Sequence, residues 1–293
     1  MVCPPDLPSL VHSAVNDPTE MPSVTVHYAR HGVLTEKILA ALEGAGRDRR
    51  ALTLEDLKPL DQFHNRGQEA TKELAALLEL APDSKVIDIG CGIGGPARWL
   101  AVAHGCFVEG IDLTQTYVET AKELTALLGL GEILRFTQAD ACALPFADRA
   151  FDAAISQHTA MNIADKAALY GEVARVVKPG GRFALYDVVR GPATGSPDFP
   201  LPWASDPNCS HLLGAPEIKD LVEAAGFTAR HWADRTTESC AAGRARREER
   251  PPPLSPASYL GPEIAPMLDN MLRGLEAGQL ALAQGVFERR APV

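Results

Sequence analysis

Between residues 33 and 80, apolar residues return at helical spacing. Leu34, Ile38 and Ala41 mark one such stretch (33–42), and Leu74, Leu77 and Leu78 mark a second (67–80). Each set lines one face of a helix with 3.6 residues per turn. From Lys85 the period changes. Short apolar runs at 85–90, 107–112, 133–138, 151–156 and 181–188 predict strands. The amphipathic stretches between them predict helices, and this alternation is that of βα units on a mostly parallel sheet. The helix after Asp112 is expected to start at a Thr114 cap and to bury Val118, Ala121, Leu124 and Leu128. A later one, at 165–177, buries Leu169, Val173 and Val176 before Lys178-Pro-Gly-Gly stops it.

The regular pattern then breaks. Residues 191–213 hold five prolines together with Phe199 and Trp203, which reads as a long insertion loop of the kind that often carries function. A helix at 216–225 and strands at 227–233 and 280–289 follow. Residues 243–256, Arg-rich and then Pro-rich, read as a solvated flexible connector. The expected organisation is a helical cap or lid at 1–66 and an α/β domain at 67–293, with the insertion at 190–214 and the connector at 243–256. No internal repeat is found.

Composition narrows the classes. Of 293 residues, 46% are hydrophobic and 23% charged, the range of soluble globular enzymes. Lys plus Arg number 28 against 38 Asp plus Glu, a net charge of -10, which argues against a broad basic groove for nucleic acid. Cys3, Cys91, Cys106, Cys142, Cys209 and Cys240 form no C-x-x-C pair, so reduced, cytoplasmic thiols are expected and a zinc site is not. The opening Met-Val-Cys-Pro-Pro-Asp lacks a basic segment followed by an apolar run, and no stretch of 18 apolar residues occurs. Neither secretion nor membrane insertion is expected.

Chemistry concentrates at the ends of the predicted strands. Val86-Ile-Asp-Ile-Gly-Cys-Gly-Ile-Gly-Gly95 is a strand opening into a glycine-rich turn and then a helix, where a ligand can approach the backbone. Gly90, Gly92 and Gly95 satisfy G-x-G-x-x-G, with Gly94 in the same loop, so a dinucleotide must be weighed. Asp88 points elsewhere: a carboxylate there repels a pyrophosphate but suits the ammonium of a methionine moiety. Asp112, with Leu113 after it, ends the second strand, where a carboxylate accepts ribose hydroxyls in either ligand. Asp140-Ala141, after the third strand, can meet an adenine edge or simply cap a turn.

Taken together, the glycine loop, Gly110-Ile-Asp-Leu, Asp140-Ala141, Leu144-Pro-Phe with Asp148, Phe151-Asp152 and Arg175-Val-Val-Lys-Pro-Gly-Gly181 resemble class I S-adenosylmethionine (SAM) dependent methyltransferases. The resemblance spans 68–188. It is nearest to the small-molecule branch that contains the ubiquinone and menaquinone C-methyltransferases and the sarcosine/dimethylglycine N-methyltransferases. It implies a Rossmann-like, doubly wound sheet of seven mostly parallel strands with a reversed final hairpin, an N-terminal helical lid, SAM as cofactor and S-adenosylhomocysteine as product. By the same analogy the segment from Asp61 through Phe63, His64 and Arg66 lies beside the methionine end.

The acceptor side carries fewer signals. His158, in Ser156-Gln-His-Thr-Ala-Met-Asn162 after the fourth strand, is the leading candidate for a general base or acceptor contact, against a purely local packing role. Gln157 is placed near the adenosine, and Asn162 either in the pocket or at a helix cap. Trp203, with Phe199, is a candidate pocket wall, or an anchor of its loop. Tyr28 and His31 are further candidates for the pocket wall, Tyr28 as part of a lid. No H-x-H or H-E-x-x-H occurs, so no metal is expected. Three other readings stay open: an NAD(P)-dependent oxidoreductase on the same fold, a SAM-binding module without catalysis, and nucleic-acid methylation, the last disfavoured by charge.

Overall fold

A computed structural model describes residues 27–28, 34–248 and 252–291; His31 lies outside them. The strands are β1 (Lys85–Ile89), β2 (Phe107–Asp112), β3 (Leu134–Gln138), β4 (Phe151–Gln157), β5 (Val177–Arg190), β6 (Phe227–Asp234) and β7 (Leu280–Arg289). They form one seven-stranded sheet ordered β3-β2-β1-β4-β5-β7-β6. β1 runs parallel to both β2 and β4, with Asp88 opposite Gly110 on one side and Ile155 on the other. β7 is antiparallel to β5 and β6, so the final hairpin is reversed as the resemblance implied. Chain order reverses between β1 and β4, and at such a switch point the strand ends open a crevice for a ligand.

Helices α1 (Thr35–Gly44), α2 (Leu54–Asp61) and α3 (Gly67–Leu78) precede the sheet. The crossovers are α4 (Gly95–His104), α5 (Gln115–Leu127), α6 (Lys166–Val176) and α7 (Ala215–Ala224). Alternation along β1 sorts the two faces: Val86 packs with Leu74, Leu100 and Val118, while Ile87 and Ile89 pack with Leu169 and Val173. A third cluster joins α1 and α2 (Leu34, Ile38, Leu57, Leu60) to Tyr117, Tyr259, Leu260 and Met267, and forms the cap.

Some expectations give way locally. α8 (Thr236–Glu248) extends through the first residues of the expected connector. Its last turn is held by ion pairs from Arg244 to Glu276 and from Arg246 to Asp269, so the Arg run faces the acidic side of α10 (Ile264–Glu276). Between them lies the short α9 (Ala257–Leu260). β5 begins earlier than expected because Val177 already pairs with Phe151, and a bulge absorbs Lys178-Pro-Gly-Gly before Arg182 meets Ala153. Thr114 stands at the N-cap of α5 but makes no side-chain cap; its amide donates to Asp112 at 2.9 Å. Asp165, not Asn162, caps α6, accepting from the Ala168 amide at 2.9 Å.

The cap is tied to the sheet domain by a buried ion pair. Arg98 on α4, fully buried, donates to Asp61 at the end of α2 at 3.0 Å and to Thr125 on α5 at 3.2 Å. The approach is close enough that a Cβ on Gly95 would lie 1.9 Å from the Asp61 carbonyl oxygen, so only glycine fits there. Removing one member of such a pair strands a charge in the interior, at about 3–5 kcal/mol. Arg98→Met should therefore destabilise the protein by that amount in urea unfolding, and adding Asp61→Leu should recover part of the loss; two additive losses would show that the pair does not couple cap to core.

Candidate active site

The carboxyl ends of β1, β2 and β4, the loop after β3 and the cap enclose one cavity. Of the residues singled out from sequence, Tyr28, His64, Asp88, Gly90, Gly92, Asp112, Leu113, Asp140, Ala141, Gln157, His158, Asn162 and Trp203 all line it. Gly94 and Arg66 do not. Gly94 is the N-cap of α4 at φ 84°, where a side chain would collide with Phe136 and Arg98, so it serves the turn and the packing beneath it. Arg66 turns away to pair with Glu73 on α3. Phe199, too, packs on the main core rather than on the cavity.

Asp88 is the most constrained group. Only 2% exposed, it leaves Oδ2 without a hydrogen-bond partner. Burial first, and the neighbouring Asp112 second, push its carboxyl up to about 7. Asp112 is anchored instead: one oxygen accepts from the Gly92 amide at 3.0 Å and the other from Thr114 at 2.9 Å. Each of its oxygens retains a lone pair for a ligand. In front of Gly92 the space is open, with nothing within 4 Å of where a Cβ would stand. Asp140 accepts from the Cys142 amide at 2.8 Å, a local turn that also fixes its carboxylate at the cavity rim. An orphaned buried carboxylate, a second one with spare acceptors and an open backbone loop fit the ammonium, ribose and adenosine of SAM.

Across the cavity stand two neutral imidazoles. His158 holds a left-handed backbone (φ 51°), uncommon outside glycine, with its amide bonded to the Tyr186 carbonyl at 2.8 Å. Its Nε2 is buried without a partner, and its ring centroid lies 6.1 Å from that of His64. Burial, and then His64, hold His158 down to about 3; burial holds His64 down to about 4. His64 Nε2 donates to the Gly67 carbonyl at 2.9 Å. Gln157 accepts from the fully buried Thr71 hydroxyl at 3.1 Å, which leaves its amide nitrogen free. Asn162 donates to the Tyr28 hydroxyl at 3.4 Å while its oxygen is unpartnered. Trp203 is 1% exposed, is held by a bond to Ser210 at 3.0 Å, and both anchors its loop and lines the cavity.

Sequence reasoning missed several wall residues. Tyr259 and Leu260 come from α9, and Tyr259 donates to the Leu60 carbonyl at 2.9 Å, closing the cap over the cavity. Their one sequence signal was the apolar spacing of the segment that follows. Asp187 was missed as well: buried in β5, it accepts from the Ala160 amide at 2.7 Å and from Val188 at 3.0 Å, and so fixes the turn after His158. Burial raises it to about 7.

Residues 87–185 match the family model described as a methyltransferase domain. From β1 into β5 the chain is thus similar to a methyltransferase domain. This match favours the methyltransferase reading of the glycine loop over the dinucleotide one. Over 134 residues, 46% of this chain and 48% of the relative, it is 35% identical to the methyltransferase GfsG of Streptomyces halstedii. The chain thus spans about half the length or less of the curated relatives it matches first. Its fold is also that of a Haemonchus contortus phosphoethanolamine N-methyltransferase 2 solved with SAM (TM-score 0.70, 18% identity, 94% of this chain and 62% of that one). The [4+2]-cyclase SpnF shares it over 92% of this chain and 98% of that one (TM-score 0.65, 22% identity). At these identities the two structures bear on the fold only.

The Asp88 carboxyl sets a pH signature in the ligand-free protein. Because folding raises it from 3.8 to about 7, the stability it lends is complete below the unfolded value and is lost as pH rises through about 7. His64 and His158, depressed by folding, act in the opposite sense, between about 4 and 6.5 for His64 and between about 3 and 6.5 for His158. The difference between variant and parent isolates the carboxylate. Asp88→Asn should raise the Tm of ligand-free protein progressively more from pH 4 to pH 8, by several degrees at the top; a pH-independent difference would contradict the assignment.

Proposed function

We propose that the protein transfers the methyl group of SAM to a small-molecule acceptor bound in this cavity. The observation that carries the reading is the buried Asp88 carboxylate with an oxygen left unbonded beside an open backbone loop. A charge kept in an apolar setting at a cost to the fold is matched to a cation, and the ammonium of a methionine moiety is such a cation. Asp112 would receive the ribose hydroxyls, Asp140 and Ala141 the adenine edge, and Gln157 the adenosine from the side opposite the glycine loop. Gly90 and Gly92 would supply backbone for close approach, Leu113 the ribose flank, and His64 the methionine end.

When bound, SAM supplies an activated methyl group; the chain's own part is alignment and the exclusion of water. Trp203, Tyr259 and the cap cover the crevice. His158, neutral over the working pH range, offers Nε2 to the proton-bearing atom of the acceptor, with Asn162 and Tyr28 as neighbouring polar contacts. Asp187 positions this turn. The acidic balance supports a small-molecule acceptor rather than nucleic acid. Among the described residues no helix is long and apolar enough to cross a membrane, and a cytoplasmic location is the reading adopted, with the described cysteines free.

Two outcomes follow from this reading. Calorimetry should show SAM binding releasing protons near pH 7 as Asp88 ionises against the ammonium. Asp88→Asn should abolish that release and weaken binding at least tenfold, about 1.4 kcal/mol; unchanged affinity would sink the role. His158→Ala should lower kcat by about 10²–10⁴ with SAM affinity within twofold, and an unchanged kcat would remove His158 from the chemistry.

A further inference from the structure

The charge inventory of the cavity has one sign. Asp61, Asp88, Asp112 and Asp140 line it, and no Lys or Arg does so among the described residues. Three described cations close in sequence to wall residues, Arg66, Arg98 and Lys166, are each bound elsewhere. Arg98 is fully buried beneath Asp61 and bonded to it. Arg66 points out to Glu73. Lys166 spends its ammonium on the Ile163 carbonyl at 2.7 Å and on the His211 carbonyl, knitting the insertion loop to the turn after His158. Arg98 and Lys166 cannot swing to the cavity without leaving a buried carboxylate or a carbonyl unpaired, and Arg66 is engaged by Glu73.

What the walls offer instead is apolar surface and neutral polar atoms. Leu34, Phe63, Ile93, Met161, Trp203 and Leu260 supply the first. The second are the unpartnered Gln157 Nε2, His158 Nε2 and Asn162 Oδ1, all buried. Both histidines are neutral, held there by burial. With Asp88, Asp112 and Asp140 given to the cofactor and Asp61 to Arg98, a phosphate or carboxylate on the acceptor side would meet no Lys or Arg among the described wall residues and would lose its hydration without replacement. A neutral hydroxyl or amine would satisfy atoms that now have no partner.

We infer that the acceptor is a molecule with an apolar body that presents an uncharged hydroxyl or amine to His158 and carries neither phosphate nor carboxylate. The inference rests on the methyl-transfer reading, and it separates this chain from its structural neighbour whose name specifies a phosphorylated amine.

The test uses the full chain and matched probes. SAM and S-adenosylhomocysteine are titrated first; if neither binds, the methyl-transfer reading fails while the acceptor question stays readable. The probes are para-hexylphenol, para-hexylaniline and para-hexylphenyl phosphate, and geraniol against geranyl phosphate, each titrated with and without S-adenosylhomocysteine. Within each set a neutral member should bind at least tenfold more tightly than its phosphate, with the phenol-to-aniline ratio reporting which of the two groups the walls prefer. Asn162→Lys, which adds a cation to the wall, should raise phosphate affinity about tenfold. Phosphates that bind the parent as tightly as their neutral partners, neutral probes that never bind, or a lysine variant with unchanged phosphate affinity would each overturn the inference.

Discussion

Arg98 and Asp61 meet where four elements converge: the end of the cap helix α2, the first turns of α4, the side of α5 and the glycine loop. A charged pair in such a place costs desolvation on both sides, and hydrophobic replacements of similar volume often do as well. What the pair adds is direction. A guanidinium that must reach one carboxylate and one hydroxyl fixes the distance and angle between cap and sheet, which apolar contacts between leucines leave adjustable. Gly95 completes the constraint by letting the Asp61 carbonyl rest against the helix start. The same junction that holds the cap down therefore sets the height of the chamber above the strand ends.

Below that junction the protein tolerates a second, less favourable arrangement of charge. Asp88 and Asp112 end adjacent parallel strands, and only Asp112 has its oxygens engaged by backbone amides. Parallel pairing itself brings them together: the register that sets Asp88 against Gly110 places both side chains at one end of the sheet. In the ligand-free protein Asp88 thus stands at a cost to the fold, since burial and Asp112 both oppose its charge.

Much of this was legible in the sequence. The βα period gave every strand of the sheet to within a few residues, because buried parallel strands are continuous apolar runs bounded by turn residues. The acids at strand ends were legible for the same reason: once β1, β2 and β3 are placed, Asp88, Asp112 and Asp140 can only lie at one edge. Arg66 and Gly94 misled because spacing places a residue near a site without saying which way it faces, and Glu73, one helical stretch away, decides that for Arg66. The walls were hidden for a different reason. α2 begins with a Thr53/Asp56 capping box, and α10 carries Ile264, Met267, Met271 and Leu275 at helical spacing, yet nothing local says that these helices fold over the glycine loop. Contacts between residues far apart in sequence leave no periodic trace.

The hydroxyl of Tyr259 reaching the carbonyl of Leu60 joins positions 199 residues apart. The glycine loop and its acids lie between them and assemble from neighbouring βα units. On a chain emerging from the ribosome, the floor of the cavity is synthesised well before α9, which supplies part of its roof. Floor and roof are therefore separated in the time of synthesis as well as in sequence, and the segment between β6 and β7 is where the chain can vary the wall while leaving the glycine loop and its acids as they are.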